Sequence, residues 1–466
     1  MPSNSINSQK SLLAEGSSMQ HFMQRLGDGA AAFSLRWIPA PFSFAIVLTI
    51  LVYLAALLAT ERGPIELVDD WYGGFWNLLA FGMQMVLIVV TGYGLATSPP
   101  VQRALRWLSA RPRSAGGAVA MTAAITGLLA FLHWGVALVV GAFLAKEVAK
   151  SAKLRGLKAH FPLIAAAGYG GAVVSQTGLS SSAALLVNTP GHFLEDKIGL
   201  LSLSETIFQP YSLVFVLLTL FLMPLLLASL HPRKDKVIEI ADTADAHIDA
   251  CAHEAGASSP AERLNRSRLL MGGIVAAGLL YVARYLADNG LLGLNLNVLN
   301  FAMLMLGMVL HGTLANYGRA IANGTSAASG IILQFPFYAG ILGLMAGSGL
   351  LAMIANWFVS ISTPETFPLW SMISAAIVNF AVPSAGGQWA IQGPIAVEAA
   401  QQLGLPSHVA VMTVMMGDQL TNLAQPFWLL PLLGITGLKV GQILGYTMIL
   451  MAAVFLINAG CLLLLL

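Results

Sequence analysis

The chain alternates long apolar runs with short polar connections, and most runs leave no face wet. Residues 42–59, 75–96, 118–145, 211–230, 269–286 and 440–463 are apolar almost throughout. Runs near ~20 residues are what a helix needs to cross hydrocarbon. Helices hydrophobic all round belong in a membrane or a large core. Membrane strands would show alternating segments of about ten residues, and the sequence has none. The pattern predicts an all-α integral membrane protein.

Several spans are broken. The stretch 379–394, NFAVPSAGGQWAIQGP, lies between two helical patterns. Pro383 lacks an N–H and disfavours helix in the residue before it, and Gly386-Gly387 weakens helix further. At membrane depth, irregular backbone is tolerated only where protein or a water-filled cavity satisfies it. A loop at the membrane surface is the plainer reading of this stretch; the tip of a re-entrant hairpin is the sharper one. Similar interruptions fall at 132–135 (LHWG), 175–182 and 421–425.

Charge sets the expected topology. Arg103, Arg106, Arg111 and Arg113 follow the second span with no acid, whereas Glu61, Glu66, Asp69 and Asp70 precede it with only Arg62. Lys/Arg excess marks the cytoplasmic side, so the N-terminus is expected inside. The run 118–145 has basic clusters on both flanks, the second being Lys146, Lys150, Lys153, Arg155 and Lys158. A single crossing cannot place both flanks inside, so this run reads as a hairpin turning at 132–135. Residues 231–268 hold 13 of the 44 Asp, Glu, Lys and Arg residues and read as a cytoplasmic linker between halves. The expected organisation is an amphipathic cytoplasmic N-terminus (1–40), a first repeat (41–230, hairpin 118–147), the linker (231–268), a linking span (269–287) and a second repeat (291–466, hairpin 367–402). The second repeat is expected to hold spans at 296–310 and 331–346.

The halves match at a near-constant offset: Gln84 with Gln334 (334 − 84 = 250), Trp107 with Trp357 (357 − 107 = 250), His133 with Pro383 (383 − 133 = 250) and Glu147 with Glu398 (398 − 147 = 251). By the charge rule the first half begins and ends inside, and the span at 269–286 starts the second half outside. The expectation is two inverted repeats, about nine transmembrane helices and two re-entrant hairpins with broken helices, a hallmark of secondary transporters.

Composition narrows the function. Only 9% of residues are charged and 57% are hydrophobic, against about 25% charged in soluble domains. A net charge of +2 does not point to nucleic acid. Cys251 and Cys461 have no metal-ligand or disulfide spacing, and no nucleotide-binding or hydrolase motif is present. No enzyme, and no bound cofactor beyond Na⁺ or H⁺ as coupling ion, is expected.

Half-helix N-termini favour anions and free carbonyls favour cations. The candidate substrate groups gathered at the breaks are His133, Trp134, Gln176, Thr177, Ser181, Asn188 and Thr189 in the first half. In the second they are Ser384, Gly386, Gly387, Gln388, Asn422 and Gln425. Asp418, an ionisable group within a span, is the leading ion-coupling candidate. Asn422 and His133 join it, and a Na⁺ site is expected near Asp418 and Ser384. Each also has a structural reading: hydroxyls bond back to their own helices, and small residues let helices pack closely. No arginine falls at a break, so a small monocarboxylate fits better than a dicarboxylate or phosphate.

The segments FWNLLAFGMQM (75–85), HWGVALVVGA (133–142), NTPG (188–191), GIILQFPFYAG (330–340), NFAVPSAGGQWAIQGP (379–394) and NLAQPFW (422–428) resemble the bacterial short-chain fatty acid transporters of the AtoE type, from about residue 20 to the end. The resemblance implies uptake of butyrate or acetoacetate across the inner membrane, a fold with inverted repeats and paired hairpins, and a homodimer among membrane lipids. His133 and Asp418 depart from the Asn and Glu usual in the family, and Ser-Ala-Gly-Gly after Pro383 replaces a run of glycines. Alternatives in view are a cation-coupled carrier of another small organic anion and an anion channel.

Overall fold

A computed structural model describes Arg36, residues 41–241, 259–380 and 382–466. The expected N-terminal segment 1–40, apart from Arg36, and the middle of the expected linker, 242–258, lie outside the described residues. Among those described there is no strand. Among the described residues, seven helices are long and apolar enough to cross a membrane. The broken spans fall below that length because each is divided into shorter pieces.

The first half opens with α1 (Pro41–Ala59), α2 (Pro64–Gly74), α3 (Leu79–Ala96) and α4 (Pro99–Ser109). A helical hairpin follows, α5 (Ala115–Leu132) and α6 (Trp134–Leu154). Next comes a divided element: α7 (Phe161–Gly170), a 3₁₀ segment (Gly171–Thr177) and α8 (Ser182–Val187). The half closes with α9 (Pro210–Ser229). The second half comprises α10 (Arg268–Asn289), α11 (Leu296–His311), α12 (Leu314–Ser348) and α13 (Leu350–Ser360). A second hairpin, α14 (Phe367–Asn379) and α15 (Ala385–Gln402), leads to the divided α16 (Ser407–Asn422) and α17 (Pro426–Thr436), and α18 (Val440–Leu465) ends the chain.

Local chemistry starts these helices where the sequence offers it. Proline stands in the first turn of α2, α4, α7, α9, α14 and α17, where its missing N–H costs nothing. Ser114, Ser267, Asn295 and Thr313 cap α5, α10, α11 and α12 through their side-chain oxygens, each worth about 1 kcal/mol. Helix order repeats between halves: α4 and α13 start 251 residues apart (350 − 99), α5 and α14 252 (367 − 115), and α6 and α15 251 (385 − 134).

Two expectations change. The span expected at 331–346 is the C-terminal part of α12, a single helix beginning at Leu314. Its polar, small-residue start stays helical because Gly324 packs on the Tyr93 ring and Ala328 on Val86 and Val90 of α3. The acidic connection at 61–70 holds most of α2, which begins with Glu66 accepting from the Gly63 N–H. Arg62 pairs with Asp70, and α2 crosses α12 where Gly74 meets Gly343, so closely that a Cβ on either would strike backbone.

Candidate functional site

The two hairpin tips share one backbone solution. His133 (φ −159°, ψ 107°) breaks the first hairpin and Ser384 (φ −153°, ψ 108°) the second, 251 residues later (384 − 133). Each caps the helix that follows it: His133 Nδ1 accepts from Val136 N–H and Ser384 Oγ from Gly387 N–H, both at 3.3 Å. The tips then diverge. At the first, the Trp134 N–H donates to Ser180 Oγ at 2.8 Å, so a neighbouring element consumes that amide. At the second, Gly387 and Gln388 N–H bond to Ser384. Ala385 and Gly386, the other two residues of that first turn, line a cavity. The glycine pair is required by packing: a Cβ on Gly386 would press on Phe335, Phe81 and Met85, and one on Gly387 would meet the Tyr338 ring at 2.6 Å.

That cavity, of about 70 Å³, lies among both tips and both broken helices. The first hairpin contributes Trp134, and the first broken element Tyr169, Gln176 and Ser182. The second hairpin gives Ser384, Ala385 and Gly386, and the second broken helix Gln419, Asn422 and Trp428. None of the lining residues is charged. One water needs roughly 10–15 Å³ on this scale, so the space holds roughly five, the size of a butyrate rather than an octanoate.

Hydrogen bonds pin the polar lining. Gln419 Oε1 accepts from the Gln176 N–H at 3.2 Å, and Gln176 Oε1 accepts from the Ser182 N–H at 3.0 Å. Gln419 Nε2 and Trp134 Nε1 are buried donors with no partner among the described residues. Buried polar groups normally find partners, so an idle donor on Gln419, a residue that lines the cavity, fits an anion that supplies the acceptor.

Behind this wall Asn379, at the end of α14, joins the break in α16–α17. Its Nδ2 lies 2.7 Å from the Asp418 carbonyl, 3.0 Å from Thr421 Oγ1 and 2.7 Å from Asn422 Oδ1, while its own carbonyl accepts from Gln425 Nε2. Asn422 Nδ2 donates to Asp418 Oδ2 at 3.1 Å, and Tyr169 OH to the Asn422 carbonyl at 2.5 Å. Asp418 is fully buried. Its Oδ1, with Asn379 Oδ1 and Gln388 Oε1, has no donor among the described residues. Bare oxygens of this kind suit a hard cation.

Of the residues expected at the site, Trp134, Gln176, Ser384, Gly386 and Asn422 line the cavity. Asp418 and Gln425 stand one layer behind it. His133 and Gly387 shape the tips without lining it, and Gln388 donates to the Ala375 carbonyl and to Gln392. Thr177 and Ser181 are buried; Thr177 bonds back to the Val174 carbonyl, and Ser181 caps α8. Asn188 donates to the Leu292 and Leu294 carbonyls, and Thr189 accepts from the Leu296 N–H. Both tie the end of α8 to the approach to α11. Sequence reasoning missed Tyr169, Asn379, Gln419 and Trp428. Gln419 was within reach, since it neighbours Asp418 in the same broken span.

The family model described as "Short chain fatty acid transporter" matches residues 22–465. A relative from Escherichia coli (strain K12) is 38% identical over 91% of this chain and 95% of its own length. One from Haemophilus influenzae is 36% identical over 94% and 99%. Both carry the name "Putative short-chain fatty acid transporter". Among solved structures, the Alcanivorax borkumensis YdaH transporter matches with a TM-score of 0.55 at 15% identity, over 91% of this chain and 98% of its own. Neisseria gonorrhoeae MtrF, of a class of antimetabolite efflux pumps, matches at 0.50 with 14% identity, over 91% and 95%. At such identities these likenesses concern the fold alone.

Proposed function

Since the chain belongs to the short-chain fatty acid transporter family, we propose that it carries short-chain monocarboxylates such as butyrate and acetoacetate across the bacterial inner membrane. The family is one of transporters, and the protein is not an enzyme. It is a multi-pass membrane protein. The observation that carries the substrate reading is the uncharged cavity between the two hairpin tips, with an idle donor on Gln419. A carboxylate placed there accepts from Gln419, from the Ser384 hydroxyl and from the first amides of α15, where the helix dipole favours negative charge. The alkyl tail lies against Trp134, Leu138 and Trp428. A larger anion with a second charge finds no cation in this lining.

The carrier works by alternating access, with the two halves as inverted repeats, re-entrant hairpins at their centre and the N-terminus inside; the basic clusters after α3 and α6 support that orientation. Coupling runs through H⁺ or Na⁺ at Asp418, supported by the undonated oxygens of Asp418, Asn379 and Gln388. Asn422 links Asp418 to the cavity, since it bonds Asp418 and lines the cavity. Matching exposed tryptophans, Trp107 on α4 and Trp357 on α13, are lipid-surface or homodimer anchors.

The test is uptake of labelled butyrate and acetoacetate into proteoliposomes under an imposed Na⁺ gradient or an imposed pH gradient, with a no-gradient control. Wild type, Asp418→Asn and Ser384→Ala are compared. Saturable uptake driven by one gradient and lost in Asp418→Asn supports the reading and names the ion. Saturable uptake indifferent to both substitutions overturns the site, and no protein-dependent flux of either acid overturns the substrate.

A further inference from the structure

The cavity between the tips has a larger neighbour. A second space of about 330 Å³ is lined by Val89 of α3, by Ser326, Ser329, Gly330 and Gln334 of α12, and by Leu430 and Pro431 of α17. Trp134, Leu138, Ile331, Ser384 and Trp428 line both spaces. Within that shared wall the Trp134 and Trp428 rings meet edge to face, 6.1 Å between centroids and 88° between planes. This is a favoured aromatic geometry, and it puts two large rings where the cavities would otherwise merge.

We infer that the Trp134–Trp428 pair is a partition that sets the upper limit on acyl chain length. The inference rests on the carrier reading above. The carboxylate is held by Gln419 and the α15 amides of the inner space, with Ser384 at its border, and the tail points toward the rings. Once the roughly five-water volume of the inner space is filled, each further methylene meets an indole face. The outer space, on the far side of that wall, offers apolar room for a longer tail.

The two rings are held differently. Trp134 is the first residue of α6, and its backbone amide is locked on Ser180. Trp428 sits in the first turn of α17, a half-helix bounded by the extended Gln425 (φ −103°, ψ 125°) and by Gly437 in the left-handed region (φ +72°). Pro431 removes one hydrogen bond inside that half-helix. Trp428 is therefore the ring whose removal joins the spaces with least disturbance to a tip.

Long protonated acids cross bilayers unaided, so the experiment reads competition rather than uptake. Unlabelled acids from acetate to octanoate compete with labelled butyrate in proteoliposomes holding wild type, Trp428→Phe or Trp428→Ala. In wild type, potency peaks near butyrate and falls for hexanoate and octanoate. Trp428→Phe keeps that order. Trp428→Ala reverses it: two extra buried methylenes raise hexanoate relative to butyrate by about 15-fold. Where Trp428→Ala transports too little to compete, the same order is read from the thermal stabilisation each acid gives the purified protein, with Trp134→Leu as a second opening of the wall. An unchanged chain-length order in both opened variants overturns the partition while leaving the carrier reading intact. A wild type that neither transports nor is stabilised by any of these acids overturns both.

Discussion

Gln419 is the most informative position to perturb, because its two side-chain atoms have separate tasks. Oε1 holds the Gln176 N–H at 3.2 Å and so joins the two broken helices; Nε2 is buried, without a partner among the described residues, on a residue that lines the cavity. Gln419→Glu keeps the first task and removes the second with almost no change in volume. A hydrogen bond to a charged group is worth about 1.5–3 kcal/mol, so its loss weakens carboxylate binding by about 13- to 150-fold. While the new carboxyl is ionised, a like charge about 4 Å away adds repulsion of up to roughly 4 kcal/mol at an effective dielectric near 20. Uptake of butyrate at pH 7.5 should then fall below detection. Acidifying the medium protonates the new carboxyl, which can donate again, so the defect should shrink toward pH 5.5. Gln419→Leu, which has no such proton, should stay impaired across the range. The assay is initial uptake rate against butyrate concentration at several pH values, with thermal unfolding of each variant in detergent to confirm the fold. An apparent KM for Gln419→Glu within threefold of wild type at pH 7.5 would refute a carboxylate at Nε2.

Asn379→Ala removes the amide that joins α14 to the α16–α17 break and strands Asn422 Oδ1; a stability loss of about 2–3 kcal/mol is expected, read as a lowered unfolding temperature. Gly141→Ala drives a methyl onto the Gly168 carbonyl oxygen where α6 crosses α7. No side chain can yield there, so folded yield by fluorescence size-exclusion should collapse. The third expectation concerns the segment 231–240. His160 Nδ1 accepts from the Ile238 N–H at 3.0 Å, and His231 Nε2 from the His160 N–H at 3.0 Å. Burial, with the neighbouring His231 second, pushes His160 down to about 4. A histidine depressed in the docked state leaves docking intact above its free value near 6.5 and weakens it as pH falls toward 4. Hydrogen exchange at the Ile238 amide, corrected for intrinsic rate, should therefore rise between pH 6.5 and 4 and stay flat from 7 to 8.

What the sequence made legible followed from punctuation. Pro383 marked the second tip, the LHWG run marked the first, and the polar runs at 175–182 and 421–425 marked the breaks; each of the four contains a break or a change of helix type in the structure, but Gly386 and Gly387, expected to weaken helix, lie in the first turn of α15. The repeat offset pairs His133 with Pro383; the structure moves that match by one residue, with Ser384 on the backbone equivalent to His133. What stayed hidden depended on partners distant in sequence. Helix α2 does not stand out as an apolar run because its acids mask a face that packs only once Gly343 of α12 is beside it. Gln84 and Gln334 match in rank yet differ in use: Gln84 donates to Asn297, and Gln334 accepts from Tyr338.

The same distinction governs the site. Asp418 announces itself by charge in an apolar span, but the structure places it a layer behind the cavity, with Asn422 between. A charge in direct contact with a carboxylate substrate would repel it; one layer back, its state can be felt through a neutral amide that touches both. If that relay holds, Asn422→Leu should uncouple uptake from the driving gradient while leaving Asp418 in place. The measurement is the ratio of gradient-driven to exchange-driven butyrate flux, expected to fall toward one. A ratio unchanged from wild type would mean that the ion and the substrate communicate by another route.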